Sequence, residues 1–177
     1  FPANNLGWLK RRRSPYKVRK FLLSGSHERA SEPPLRQDER HRQRYRHPRI
    51  TYRQIRDNRL DFLADSSMDA AMSCFVFIVL PSREQLRAIA AEVWRVLRPG
   101  GRFVVLDPHP DHMGIRFSTG LLRGKPGDTY YDGDPLVARL PLTNGEWLEL
   151  SDYFWSARTY HEVLTEVGFT DLQIESP

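Results

Sequence analysis

Between Ser26 and Arg49 only Ala30, Leu35 and Tyr45 are apolar, three positions of 24. That is too few to build a strand or a core helix. From Ile50 onward the pattern changes. "ITYRQI" alternates weakly and predicts an edge strand. "MDAAMSCFVFIVL", residues 68–80, is a continuous apolar run, the mark of a strand buried on both faces of a parallel sheet. Pro81 stops it, and Ser82 with Gln85 forms a capping box. Leu86, Ile89, Ala90, Val93 and Leu97 follow at helical spacing, with Arg95 and Arg98 suited to the last turn. Pro99-Gly100 supplies a type II turn, since glycine accepts positive φ. "RFVVLD" is the next buried strand, which completes a βαβ unit.

The middle of the chain, 108–135, is rich in Gly, Pro and Asp and reads as a long loop. "LVARLPL" and "EWLEL" flank Thr143-Asn144-Gly145, a hairpin signal. Thr159 with Glu162 forms a second capping box, and Tyr160, Val163, Leu164 and Val167 give that helix its apolar face. Gly168 stops it, and "FTDLQIES" predicts a closing strand. The ordered part, residues 50–177, is therefore α/β with an inserted β-hairpin. Residues 1–49 are expected to be a basic, disordered segment.

Charge sharpens that division. The 177-residue chain carries a formal net charge of +5. Residues 1–60 hold 17 Lys and Arg against 5 Asp and Glu, while residues 61–177 hold 10 against 17. A head of this density fits nucleic acid or an anionic surface through phosphate neutralisation. A solvated tail is the plainer reading, because zinc spacing and stacking aromatics are lacking. No apolar run approaches a membrane span. The single cysteine, Cys74, excludes an internal disulfide and points to a reducing compartment, the cytoplasm.

The series "DNRLDFLADSSMDAAMSCFVFIVLPSREQLRAIAAEVWRVLRPGGRFVVLDPHP" resembles the second half of class I S-adenosylmethionine-dependent methyltransferases. Asp65, Ser67 and Asp69 hold the positions of the family's "D-x-S-F-D" turn, with Met68 in place of the usual aromatic. "RVLRPGG" precedes the next strand as it does in the family, and "YHEVLTEVGFTDLQIES" resembles the closing helix, Gly-Phe corner and strand. The likeness covers about residues 50–177. It implies an incomplete Rossmann-like sheet with S-adenosylmethionine lying across the carboxyl ends of its strands.

The resemblance also places candidate residues. Asp57 and Asn58 match positions that contact the adenine, although a plain loop cap is an equal reading. Ser73, Cys74 and Phe75 match the strand end that passes beside the cofactor, although Phe75 fits the core equally well. Cys74 reads better as a small buried residue than as a nucleophile. Asp107, His109, Asp111 and His112 crowd the end of the "RFVVLD" strand. His109 is the candidate base for an acceptor that must lose a proton, against a reading in which it caps the loop. No second cluster completes a metal site, so no metal is expected. Tyr130, Tyr131, Tyr153 and Trp155 either line an acceptor pocket or pack the hairpin onto the sheet.

One family feature is not legible. The glycine-rich loop after the first strand has no counterpart in residues 1–60, which contain only Gly7 and Gly25. The chain also begins with Phe, as a piece of a longer product would. Two functions remain open. One is a methyltransferase of a small-molecule acceptor, represented by its C-terminal half. The other is a noncatalytic remnant whose basic head binds nucleic acid or another polyanion.

Overall fold

The computed structural model describes residues 51, 53, 55 and 58–175, together with the backbone of 20–24. Its centre is a parallel sheet of three strands, β1 (Lys20–Ser24), β2 (Met68–Cys74) and β3 (Leu97–Leu106), in the order β1-β2-β3. Helix α1 (Arg83–Val96) connects β2 to β3. A second sheet, antiparallel, follows from β4 (Leu122–Arg123), β5 (Pro135–Pro141) and β6 (Trp147–Tyr153). Helix α2 (Ala157–Val167) closes the described chain. The α/β expectation with an inserted hairpin therefore holds.

Helix α1 forms as its sequence predicts. The Ser82 hydroxyl accepts the Gln85 N–H at 3.3 Å, and Leu86, Ile89, Ala90, Val93 and Val96 are buried along one face. Burial of a large aliphatic side chain contributes about 1.5–3 kcal/mol, so this stripe fixes the helix against the sheet. The Pro99-Gly100-Gly101 corner is a bulge inside β3, where pairing jumps from Met68↔Leu97 to Ala70↔Arg102. Gly100 has φ +76°, and a Cβ on Gly101 would stand 2.9 Å from the Arg98 carbonyl oxygen. A side chain at Gly100 would have room but a strained left-handed backbone, whereas one at Gly101 would displace its neighbours.

Several expectations need correction. The strand expected over 68–80 ends at Cys74, because Phe75 takes φ +54° and Phe77–Val79 turn into a 3-10 helix. A short apolar run does not distinguish a strand from a buried helical turn. Nor are β2 and β3 buried on both faces. Ala71, Ser73, Phe103 and Val105 face the helices, whereas Met72, Val104 and Leu106 are 39%, 50% and 49% exposed. The cap of α2 is Ser156, whose hydroxyl accepts the Thr159 N–H at 3.2 Å, so the Thr159–Glu162 box does not start the helix. The Asp132 carboxylate reinforces this cap by accepting from Ser156 and from the Thr159 hydroxyl. No closing strand forms over 169–175, where Asp171 has φ +55°.

Thr51, Arg53 and Ile55 form no strand, and the rest of "ITYRQI" lies outside the described residues. The segment 1–49, expected to lack structure, contains β1, which pairs with β2 from Lys20↔Ala70 to Ser24↔Cys74. Its three consecutive apolar residues, Phe21 to Leu23, precede the polar stretch that begins at Ser26. The remainder of 1–49, with the Arg-rich head, lies outside the described residues.

The hairpin turn is as expected, with the Leu142 N–H donating to the Glu146 carbonyl at 2.7 Å. Two contacts involve the chain around this sheet. The Trp155 indole N–H donates to the Leu80 carbonyl at 3.1 Å inside the core. Arg123 and Asp152, 3% and 2% exposed, pair at 2.8 Å. Removing one member strands the other charge in the interior, which costs about 3–5 kcal/mol. Arg123→Ala should therefore lower unfolding free energy by about that amount in urea titrations, while a paired Arg123→Met, Asp152→Leu variant loses much less.

Candidate active site

The carboxyl ends of β2 and β3 carry an unusual set of polar groups. Register places Ser73 beside Val105 and Cys74 beside Leu106. Alternation then puts Asp107, just beyond β3, on the helix side with Val105. Ser73 is fully buried, and its hydroxyl oxygen has no hydrogen-bond partner among the described residues. Asp107 Oδ1 is buried and likewise without a partner. Its Oδ2 accepts the Tyr160 hydroxyl of α2 at 2.9 Å. An unmet buried polar group costs about 1–3 kcal/mol, and most folds avoid it. Here two lie at the ends of neighbouring strands.

Electrostatics single out the same residue. Burial pushes the Asp107 carboxyl up to about 7, against the opposing pull of the Tyr160 hydroxyl and the Arg123 guanidinium. Tyr160 is raised well above its ordinary value, chiefly by burial and then by Asp107. The Cys74 thiol is raised by burial and by the same carboxylate, which disfavours a thiolate. The ring of Tyr160 rests on Phe77, 5.7 Å between centroids, so the aromatic that replaced the expected strand continuation holds the phenol in place.

Phe75 closes the end of β2. It adopts φ +54°, is 42% exposed, and donates its N–H to the Leu106 carbonyl at 3.0 Å. A left-handed phenylalanine is strained, and such outliers cluster at functional sites. Thus Ser73, Cys74 and Phe75 are brought together with Asp107. Asn58, also left-handed at φ 56°, sits on the loop that Glu92 of α1 anchors through the Leu60 N–H at 2.8 Å. No hydrogen bond among the described residues joins Asn58 to the Ser73–Phe75 edge. Asp57 lies outside the described residues.

His109 stands apart from this cluster. Its Nδ1 accepts the Asp111 N–H at 3.3 Å and caps the 3-10 turn Pro110–His112, so the ring proton of the neutral imidazole sits on Nε2 and the lone pair is engaged by the cap. His112 stacks between His109 and Phe117, with centroids 5.3 and 6.0 Å away. No group of three or more His, Cys, Asp or Glu among the described residues is placed to hold a metal ion. Three of the four aromatics of the insertion serve packing. Tyr130 stacks on Phe154 and accepts the Lys125 N–H, Trp155 is core, Tyr153 packs against it, and Tyr131 faces solvent.

Sequence reasoning missed Tyr160, Arg123 and Asp152 as parts of the site. Tyr160 reads as one more apolar residue on α2. Asp152 had a signal, because alternation along β6 places it on the face of Leu148 and Leu150, where an acid needs a partner.

Residues 22–105 match the family model of the methyltransferase domain. N-demethylindolmycin N-methyltransferase of Streptomyces griseus is 37% identical over 134 residues, 76% of this chain and 56% of the relative. The chain belongs to the class I S-adenosylmethionine-dependent methyltransferase family. A solved S-adenosylmethionine-dependent methyltransferase from Clostridium acetobutylicum ATCC 824 is 9% identical, with a TM-score of 0.46 over 85% of this chain and 73% of that one. The family match starts at Leu22, ahead of the limit near Ile50 that the motifs set, and so takes in part of β1 and Gly25. The chain spans 56% of the length of the curated relative it matches.

The perturbed carboxyl predicts a pH dependence. Its folded value, about 7, lies above its ordinary 3.8, so the folded state holds the proton more tightly than the unfolded chain. That contribution is fully present below about pH 4 and is lost as pH rises through about 7. Urea unfolding across this window should show a decline in stability that Asp107→Asn flattens. An equal slope in both proteins would contradict the burial of this proton.

Proposed function

We propose that this chain is part of a methyltransferase that moves the methyl group of S-adenosylmethionine to a small-molecule acceptor, at the carboxyl ends of β2 and β3. The observation that carries this reading is the pair of buried atoms without a hydrogen-bond partner among the described residues, Ser73 Oγ and Asp107 Oδ1, at the ends of adjacent parallel strands. Ligands of open α/β sheets bind outside the carboxyl ends of the strands, so both atoms stand where a polar ligand would satisfy them. The name of the 37% identical relative, an N-methyltransferase of N-demethylindolmycin, supports the small-molecule class of acceptor.

The residues present fit the cofactor. Ser73, Cys74 and Phe75 would line it on one side, with Asp57 and Asn58 addressing the adenine. When bound, S-adenosylmethionine supplies an electrophilic methyl group on a sulfonium. The chain's own contribution is positional: the strand ends fix the edge on which both ligands meet. Proton handling falls to groups at the end of β3, where His109 is the candidate base for an acceptor that must be deprotonated, its Nδ1 lone pair being free for that role only when it leaves the Asp111 N–H.

S-adenosylhomocysteine tests the reading without any acceptor. At roughly millimolar concentration, enough to populate even a weak complex, it should shift the backbone amide resonances of Asn58 and Ser73–Phe75 in the 177-residue chain. Shifts confined to the antiparallel sheet, or none, would reject this placement of the cofactor.

A further inference from the structure

Asp107 is incompletely satisfied in a specific way. Oδ2 is held by the Tyr160 hydroxyl at 2.9 Å, while Oδ1 is buried and accepts from nothing among the described residues. Arg123 acts on Asp107 electrostatically, but its Nε is engaged by Asp152 at 2.8 Å. The groups that face Asp107 are therefore one guanidinium with its own carboxylate, a phenol, the Cys74 thiol and the backbone N–H of Phe75, which also holds the carboxyl down although its hydrogen bond goes to the Leu106 carbonyl. None of them is a cation dedicated to Asp107. A carboxylate so placed favours a ligand that brings both an N–H donor and a positive charge.

We propose that Asp107 is the acceptor-binding carboxylate of this site, taking the N–H of a primary or secondary amine on Oδ1 while Tyr160 holds Oδ2. The proposal rests on the methyltransferase reading for the word acceptor, and on the geometry alone for the amine. Tyr160 is a positioning residue: its hydrogen bond occupies Oδ2 and so fixes the carboxylate with Oδ1 left to the ligand. Asp132 acts one step further back. By accepting from Ser156 and Thr159 it fixes the first turn of α2, the turn next to Tyr160. An ammonium arriving at Oδ1 would find the carboxyl protonated near neutral pH. Its binding would release that proton, so amine affinity and proton affinity at Asp107 oppose each other.

Carbon-13 NMR of the full chain labelled at aspartate Cγ reads this directly, with the Asp107 signal identified by its loss in Asp107→Asn. If that variant does not fold, the upward shift expected in Tyr160→Phe identifies the signal instead, because the phenol holds the carboxyl down. In wild type the signal should titrate near neutral pH. Excess methylammonium chloride should lower the midpoint by about one pH unit, a tenfold change in proton affinity. Tetramethylammonium at equal ionic strength, which has the charge but no N–H, should leave it in place. An unmoved midpoint with methylammonium would overturn the proposal, and so would an equal shift with both cations. S-adenosylhomocysteine is absent from this experiment. A response to it at Ser73–Phe75 beside an inert Asp107 would defeat the amine assignment alone, and the opposite result would defeat the cofactor placement alone.

Discussion

The guanidinium of Arg95 holds the entry to the parallel sheet. From the last turn of α1 it donates to the Leu60 and Leu63 carbonyls and to Glu92, and it pairs with Asp65. Glu92 in turn accepts the Leu60 N–H, and the Arg95 hydrogen bond holds this carboxyl down at about 2. Two carbonyls, one amide and one carboxylate from one loop thus converge on the C-terminal half of a single helix. The Ser66 and Ser67 N–H groups complete the join by donating to the Arg95 and Val96 carbonyls, which α1 would otherwise leave without partners. Arg98 adds a pair with Asp69 at 2.6 Å. The two arginines of "RVLRPGG" and the two acids of the "ADSSMD" turn are therefore one device, and it sets where β2 begins. Arginine suits this place because its planar fork serves several acceptors at once, which lysine cannot do.

That anchored start determines the other end of the strand. Once β2 is fixed at Met68, seven residues bring it to Cys74, and pairing with β3 brings Asp107 alongside Phe75. Helix α2 reaches the same point from outside the sheet through Tyr160. The antiparallel sheet contributes Arg123 and Asp152, which both act on the Asp107 proton. Three separate elements of the fold therefore meet at one carboxyl group. The parallel strands provide its backbone, the helix provides its hydrogen bond, and the insertion provides its electrostatic surroundings.

Much of this was legible in the sequence, and the limits have physical causes. Helix α1, its serine cap and the glycine corner follow from periodicity and from the backbone needs of Gly100 and Gly101. The hairpin follows from Asn144-Gly145. Residues 75–80 were not legible, because a buried 3-10 turn and a buried strand present the same apolar composition. Ser73, Cys74 and Phe75 were placed by likeness to a family, yet the features that mark them, a partnerless hydroxyl and a positive φ, exist only in three dimensions. The Asp107–Tyr160 contact joins residues 53 positions apart, and no local pattern encodes it. His109 drew notice because histidine titrates near neutrality. The structure puts its Nδ1 to use as a cap instead, while an ordinary aspartate two residues earlier acquires the neutral-range proton through burial.

The distribution of unmet demands is itself informative. Around Arg95, at the Asp132 cap and within the Arg123–Asp152 pair, buried or half-buried polar groups are matched closely, some by several partners. Among the described residues, Ser73 Oγ and Asp107 Oδ1 have no partner, and Phe75 bends into the left-handed region beside them. Each orphaned atom costs about 1–3 kcal/mol, and each strained residue costs a similar amount, in a fold whose total stability is about 5–15 kcal/mol. Random imperfection would scatter such costs along the chain. Left-handed residues are scattered in that way, with Asn58, Ser66 and Asp171 away from Phe75. The two orphaned buried side-chain atoms among the described residues instead fall together at the carboxyl ends of two adjacent strands, where an open α/β sheet receives its ligands, as a surface shaped for something other than itself would show.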